Sequence, residues 1–157
     1  FGPRQVVVPD MNIRLDVPVG WSLRYQGEGK VQGFFLNALS GSIRTLRLSE
    51  TRSEGSLIDV TMAEYRRVQN IDPGRRDIVY TIDGRGEMKS WYYLQYTVNH
   101  PQLGESKGLI ACSGRGQGRY LVAVGEGTEA RVGKRKGLKP TDGEMQAMRN
   151  LLSGIQP

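Results

Sequence analysis

The chain of 157 residues holds one cysteine, Cys112, and one histidine, His100. A thiol nucleophile activated by an imidazole base is the first chemistry that such a pair suggests, and it needs hydrogen-bond reach between the two side chains. Both fall on one expected hairpin. If Asn99 pairs with Ser106, Cys112 stands opposite the neighbourhood of Tyr93 while His100 occupies the turn. About six or seven strand residues then separate them, on the order of 20 Å at about 3.3 Å per residue. The spacing argues against a dyad. Cys112 reads more simply as a small core residue ending Leu109-Ile110-Ala111-Cys112, and His100, before Pro101, reads as a turn residue. A lone cysteine excludes an internal disulfide and a thiolate zinc site, and a lone histidine excludes sites needing two. No serine sits in a G-x-S-x-G elbow. The nearest carboxylate pairs have structural readings: Asp83 and Glu87 are expected to flank a hairpin turn, and Asp142 and Glu144 to cap a helix.

Two glycine motifs invite a nucleotide reading and fail it. Gly125-Glu126-Gly127-Thr128-Glu129-Ala130 matches G-x-G-x-x-A, but a dinucleotide site needs a βαβ unit with an acidic residue about 20 positions later. Too little chain remains, and it ends in an expected helix. Gly114-Arg115-Gly116-Gln117-Gly118 lacks the Lys-Ser/Thr of a phosphate loop and reads as a wide, bulged hairpin turn. No cofactor is expected.

What remains is binding. The formal charge of +6 favours an anionic partner (acidic protein, anionic membrane surface or nucleic acid), although so modest an excess also serves solubility alone. The basic residues cluster at Arg66-Arg67, at Arg75-Arg76, and in a glycine-rich loop carrying Arg131, Lys134, Arg135, Lys136 and Lys139. Basic and aromatic residues do not alternate as in a base-stacking surface, which disfavours nucleic acid. Trp91 and Tyr93 share one face of a strand, and Tyr92 and Tyr96 the other. One set belongs to the core; the other lies under a helix or on an exposed binding surface. The candidate partner-binding residues are therefore Arg66, Arg67, Arg131, Lys134, Arg135, Lys136, Lys139, Trp91 and Tyr93.

The elements that must carry these residues follow from periodicity. Val6 to Val8 is a short β-like run. Met11, Ile13, Leu15 and Val17 alternate with Asn12, Arg14 and Asp16, the mark of a half-buried strand. Pro18-Val19-Gly20 then turns the chain, and Trp21, Leu23 and Tyr25 open the next strand toward the core. Residues 26–32 read as a loop, 33–39 and 43–49 as a hairpin. Ser56 is expected to cap a helix over 56–70, with Ile58, Met62, Tyr65 and Val68 inward, stopped at Asp72-Pro73-Gly74. Strands over 78–83, 88–99, 106–113 and 119–125, joined by short glycine-rich links, predict an antiparallel meander. Thr141 to Glu144 forms a capping box for a closing helix with Met145, Met148, Leu151 and Leu152 on its apolar face. The order β-β-β-β-α-β-β-β-β-α predicts one α+β domain over residues 1–157, an antiparallel β-sheet flanked by helices. No apolar run approaches the roughly 20 residues of a membrane helix. The chain begins with Phe1 rather than Met, which suits a processed or trimmed start with any signal peptide or lipid anchor upstream.

The stretch Ile13-Arg14-Leu15-Asp16-Val17-Pro18-Val19-Gly20-Trp21-Ser22-Leu23 resembles the opening of the superfamily of PsbP, the Ran-binding Mog protein and the lipoprotein DcrB. So does the later order: a helix around residues 57–69, a meander containing residues 91–98 and 119–124, and a final amphipathic helix. Leu15 departs from that pattern, where an aromatic residue is common, and so does the basic glycine-rich loop. The resemblance implies a PsbP-like α/β/α sandwich with Pro18 and Trp21 as fold markers. It implies a non-catalytic binding or assembly role and no active-site residues. The expectation is a protein-binding domain of an exported or membrane-anchored bacterial protein in the cell envelope or periplasm. The alternatives are a cytoplasmic chaperone or adaptor working through an open sheet face, and a binder of anionic surfaces or nucleic acid through the basic loop.

Overall fold

The computed structural model describes residues 4–8, 11–17, 21–27, 30–36, 42–70, 74–102, 104–129, 149–150 and 152–156. Ten strands and one long helix are assigned among them. Strands β1 (Arg4–Val8), β2 (Ile13–Val17) and β10 (Ile155–Gln156) form a small antiparallel sheet in the order β1-β2-β10. Strands β3 (Trp21–Gly27), β4 (Lys30–Leu36), β5 (Ser42–Arg52), β6 (Val79–Met88), β7 (Trp91–His100), β8 (Gly104–Gly116) and β9 (Arg119–Glu129) form a seven-stranded sheet in the order β3-β4-β5-β9-β8-β7-β6. Every pairing is antiparallel. Helix α1 (Leu57–Gln69) lies between β5 and β6 in sequence.

The large sheet is apolar on both faces of its centre, and that property requires two covering layers. Leu109, Ala111, Leu121 and Ala123 point to one face, where they meet Met11, Ile13, Leu15 and Val17 of the small sheet, together with Trp21, Leu46, Leu48, Trp91, Leu152 and Ile155. Ile110, Cys112, Val122 and Val124 point to the other, beneath Val60, Tyr65 and Val68 of α1. The expected alternation in 11–17 is observed: Met11, Ile13, Leu15 and Val17 are buried, and Asn12, Arg14 and Asp16 are exposed. Trp21 is buried, as the alternation of Trp21, Leu23 and Tyr25 predicts.

The helix begins where its cap predicts. Ser56 Oγ accepts from the Asp59 amide at 3.2 Å, and the Asp59 carboxylate accepts from the Ser56 amide at 3.0 Å. This reciprocal pair satisfies two amides that the first turn leaves without helical partners. The inward face is rotated from the expected one. Ile58 is 51 % exposed, and Val60, Thr61, Tyr65 and Val68 are buried. Positions 58 and 62 lie on one flank, whereas 61, 65 and 68 bracket the centre of the packed face.

Several boundaries differ from the sequence reading. The loop expected over 26–32 is the tight β3–β4 connection, since Val31 and Gln32 already pair with Tyr25 and Arg24. Strand β4 ends at Leu36. Asp83 to Glu87 is not a turn: β6 runs through it, with a bulge between Ile82 and Gly84, and the hairpin turns at Lys89-Ser90, where Lys89 has φ +55°. Two glycines misled the reading here. Gly86 has φ outside the left-handed region and sits in the ladder opposite Tyr93. The strand pair 11–17 and 21–25 also divides differently. Strand β2 pairs with β1 and β10, and β3 pairs with β4, so the two strands belong to different sheets; the turn expected at Pro18-Val19-Gly20 lies outside the described residues. The helix stop at Asp72-Pro73 and the capping box at Thr141–Glu144 lie outside the described residues. Residues 149–150 and 152–153 are helical. Lys89 Nζ donates to the Ser153 carbonyl at 2.8 Å, and Arg149 donates to Gln95 at 3.0 Å. These bonds tie the last helical residues to the same face as the small sheet.

Candidate functional site

The residues with chemical potential are held inside or used by the fold. Cys112 pairs with Tyr92, and His100 with Gly104, a register one residue from the expected one. Eight strand positions separate Gly104 from Cys112, about 26 Å at about 3.3 Å per residue, so no dyad forms. Burial pushes the Cys112 thiol up to about 11, and a hydrogen bond with Thr61 opposes that shift. The rise leaves almost no thiolate near neutral pH. His100 Nδ1 accepts from the Gln102 amide at 3.1 Å, a contact within the turn. The Asp83 carboxylate accepts from Thr97 Oγ1 beside the β6 bulge, and Asp59 serves the helix cap. Glu50 bridges Arg115 at 3.1 Å and Arg119 at 3.6 Å. The G-x-G-x-x-A stretch lies in β9, where Glu126, Gly127, Thr128 and Glu129 pair with Thr45 to Ser42 of β5. Gly114 to Gly118 forms the expected bulged hairpin. Among the described residues, no cluster of three or more His, Cys, Asp or Glu could hold a metal ion.

The expected docking residues separate. Trp91 is 2 % exposed and belongs to the core with Leu109 and Ala111, so the fold takes it away from any partner. Tyr93 is half-buried on the same face, and its ring lies over Gly86. The other aromatic set lies under α1: Tyr96 is buried, with its ring 5.4 Å from Tyr65 and 6.3 Å from Tyr80. Arg66 and Arg67 are exposed on the last turns of α1. Arg131, Lys134, Arg135, Lys136 and Lys139 lie outside the described residues.

The path of α1 creates a surface that the sequence reading missed. Tyr120 Oη on β9 donates to the Gly55 carbonyl at 2.7 Å and so fixes the start of the helix over β9. Thr61 then meets Cys112 on β8, and Tyr65 meets Tyr96 on β7 and Tyr80 on β6. The helix thus crosses the sheet obliquely and moves away from β5 as it runs. Beyond it, the outer face of β3-β4-β5 forms a shelf that, among the described residues, no helix covers. Register places Arg24 beside Gln32, Gln32 beside Arg47, and Arg47 beside Val124. Ser22, Arg24 and Arg47 are exposed, and Thr45 and Ser49 are half-buried. Arg47 reaches Glu126 at 3.4 Å, with the two side chains 53 % and 37 % exposed, so the pair adds little stability. At about 100° per residue, Glu64 and Arg67 lie on the flank of α1 opposite Tyr65, facing this shelf, and they form an ion pair. Alternation from Trp21 would have placed Ser22 and Arg24 outward. The sequence has no signal for the pairing that sets Arg24 in line with Arg47.

No family model matches the chain, and no curated protein matches it in sequence. Solved structures do match it. The solution structure of cyanobacterial PsbP (CyanoP) from Synechocystis sp. PCC 6803 aligns with a TM-score of 0.61 at 15 % identity, over 99 % of this chain and 92 % of that one. The crystal structure of LpqN, involved in cell envelope biogenesis of Mycobacterium tuberculosis, aligns with a TM-score of 0.54 at 15 % identity, over 99 % and 91 %. Both alignments run nearly end to end, through the small sheet, the seven-stranded sheet and the oblique helix. The chain therefore has the PsbP-like α+β fold.

Proposed function

We propose that this chain is a non-catalytic domain of the cell envelope that docks a protein partner. The observation that carries this reading is where the fold puts its functional groups. Cys112, Tyr96 and Trp91 are inside, Glu50 and Asp83 hold structural contacts, and the exposed Arg24 and Arg47 line the outer face of β3-β4-β5. Near-complete alignment with LpqN, a protein involved in cell envelope biogenesis, supports the envelope as the compartment. A shared fold carries no activity by itself, so the docking role rests on the surface.

A cytoplasmic chaperone or adaptor would shield an apolar client on an open sheet face. The exposed described residues of this shelf, Ser22, Arg24 and Arg47, suit a polar, acidic partner better. Binding to an anionic surface through Lys134–Lys139 predicts affinity that falls steeply with salt.

Fractionation of cells expressing the full-length protein, followed by cross-linking in intact cells, tests the proposal. A defined protein adduct in the envelope fraction is expected. A cytosolic protein without an adduct, or a purified protein that turns over a substrate, would overturn it.

A further inference from the structure

We infer that the outer face of β3-β4-β5 takes an acidic segment of a protein partner, held by the exposed residues Arg24, Arg47 and Arg67. The inference rests on the docking proposal above and names its surface and the chemistry of its partner. Three features of the shelf carry it.

The first is charge. Among the described residues two carboxylates border the shelf, Glu64 and Glu126, and each is answered by an arginine, Arg67 and Arg47. Arg24 is a further exposed cation, with Gln32 and then Arg47 across its ladder. The described residues of the shelf thus carry three arginines against two carboxylates, in guanidinium groups suited to bidentate carboxylate contacts. Arg47 and Arg67 are 53 % and 69 % exposed, so an incoming carboxylate can exchange with Glu126 or Glu64 at small cost.

The second is spacing. Arg24 and Arg47 stand two strands apart, about 10 Å at about 4.8 Å per strand. An extended segment covers that span in about three residues. The third is shape. α1 rises along one side of the shelf, and a planar bilayer cannot lie on a floor beside such a wall.

The test is an amide-shift titration of the labelled chain with a glutamate-rich octapeptide at low salt. Parallel titrations use anionic phospholipid vesicles and a thymidine oligonucleotide. Saturable shifts in Trp21–Gly27, Ser42–Arg52 and the last turn of α1 are expected. The double variant Arg24→Glu, Arg47→Glu should weaken peptide binding roughly tenfold or more, with Arg76→Glu as the unaffected control. All three positions are exposed, and dispersed amide spectra confirm that each variant is folded. Peptide shifts confined to residues 131–139, or no saturable peptide binding, would overturn the inference. So would tighter binding of vesicles or oligonucleotide at the shelf. An envelope partner cross-linked elsewhere would overturn only the shelf, whereas the absence of any partner would overturn the docking proposal as well.

Discussion

The ring of Tyr96 lies against the backbone of Gly108, its cross-strand partner on β8. A Cβ at position 108 would stand 2.2 Å from the ring's Cζ and 2.3 Å from its hydroxyl. The glycine makes room for the tyrosine, and the tyrosine covers the strand surface that the glycine leaves bare. Tyr96 in turn packs against Tyr65 and Tyr80 and joins α1 to β6 and β7. Gly86 and Tyr93 repeat the arrangement on the opposite face, with a Cβ at 86 only 2.6 Å from the Tyr93 hydroxyl.

Gly108→Ala should therefore destabilise the fold by about 2–3 kcal/mol, the cost of overpacking, because Tyr96 is enclosed and cannot yield. Gly86→Ala should cost less, since Tyr93 is half-buried and its ring can swing toward solvent. Urea denaturation midpoints of the two variants give the comparison. Equal losses would contradict the account of the tyrosine under the helix.

Arg115 ties the small sheet to the β8–β9 hairpin. Its guanidinium donates to the Met11 carbonyl, to the Asn12 carbonyl at 3.1 Å and to Glu50 at 3.1 Å, with 7 % of the side chain exposed. Arg115→Met keeps the stem and removes all three bonds. It should cost about 2–4 kcal/mol, the range for a charge-assisted network left without its donor. Arg47→Met, which removes only the exposed ion pair with Glu126, should change stability by less than about 1 kcal/mol.

Alkaline pH should weaken the fold through Cys112. Its folded thiol is pushed up to about 11 from an ordinary value of 9.0 by burial. The folded state therefore keeps a proton that the unfolded state releases. This contribution is constant below about pH 8 and is lost as pH rises from 9 toward 11. Tyr96 is shifted in the same direction, chiefly by burial, and extends the loss above pH 10. Cys112→Ala should flatten the stability curve between pH 9 and pH 11. An unchanged slope would show that Cys112 is not responsible. In the wild-type chain, thiol reagents at pH 8 should label Cys112 only at the rate of unfolding.

Where burial alternates, the sequence was legible. Residues 11–17 read correctly because each of their side chains answers to a single covered face, and Ser56 marked the helix start because its hydroxyl has one local task. The meander after α1 was legible from its short turns. Long-range pairing was not. Nothing in residues 4–8 or 155–156 declares that they flank β2. Gly154 shows its role only in three dimensions, where a Cβ would stand 2.6 Å from the Asp16 carbonyl. The docking residues were hardest to read. Trp91 and Tyr93 were expected at a binding surface because a strand of alternating aromatics has two candidate faces, and only the layer above decides which is covered. Arg24 and Arg47 escaped notice because their alignment depends on the register of three strands and on the oblique path of a helix.

The central claim is that an envelope protein docks on this domain. A photo-cross-linking residue placed in turn at positions 24, 47 and 67, with Gln5 and Arg76 as controls, tests it in intact cells. The account predicts one protein adduct of defined mass in the envelope fraction from the first three positions and none from the controls. An envelope-free protein that yields no adduct at any position would contradict it.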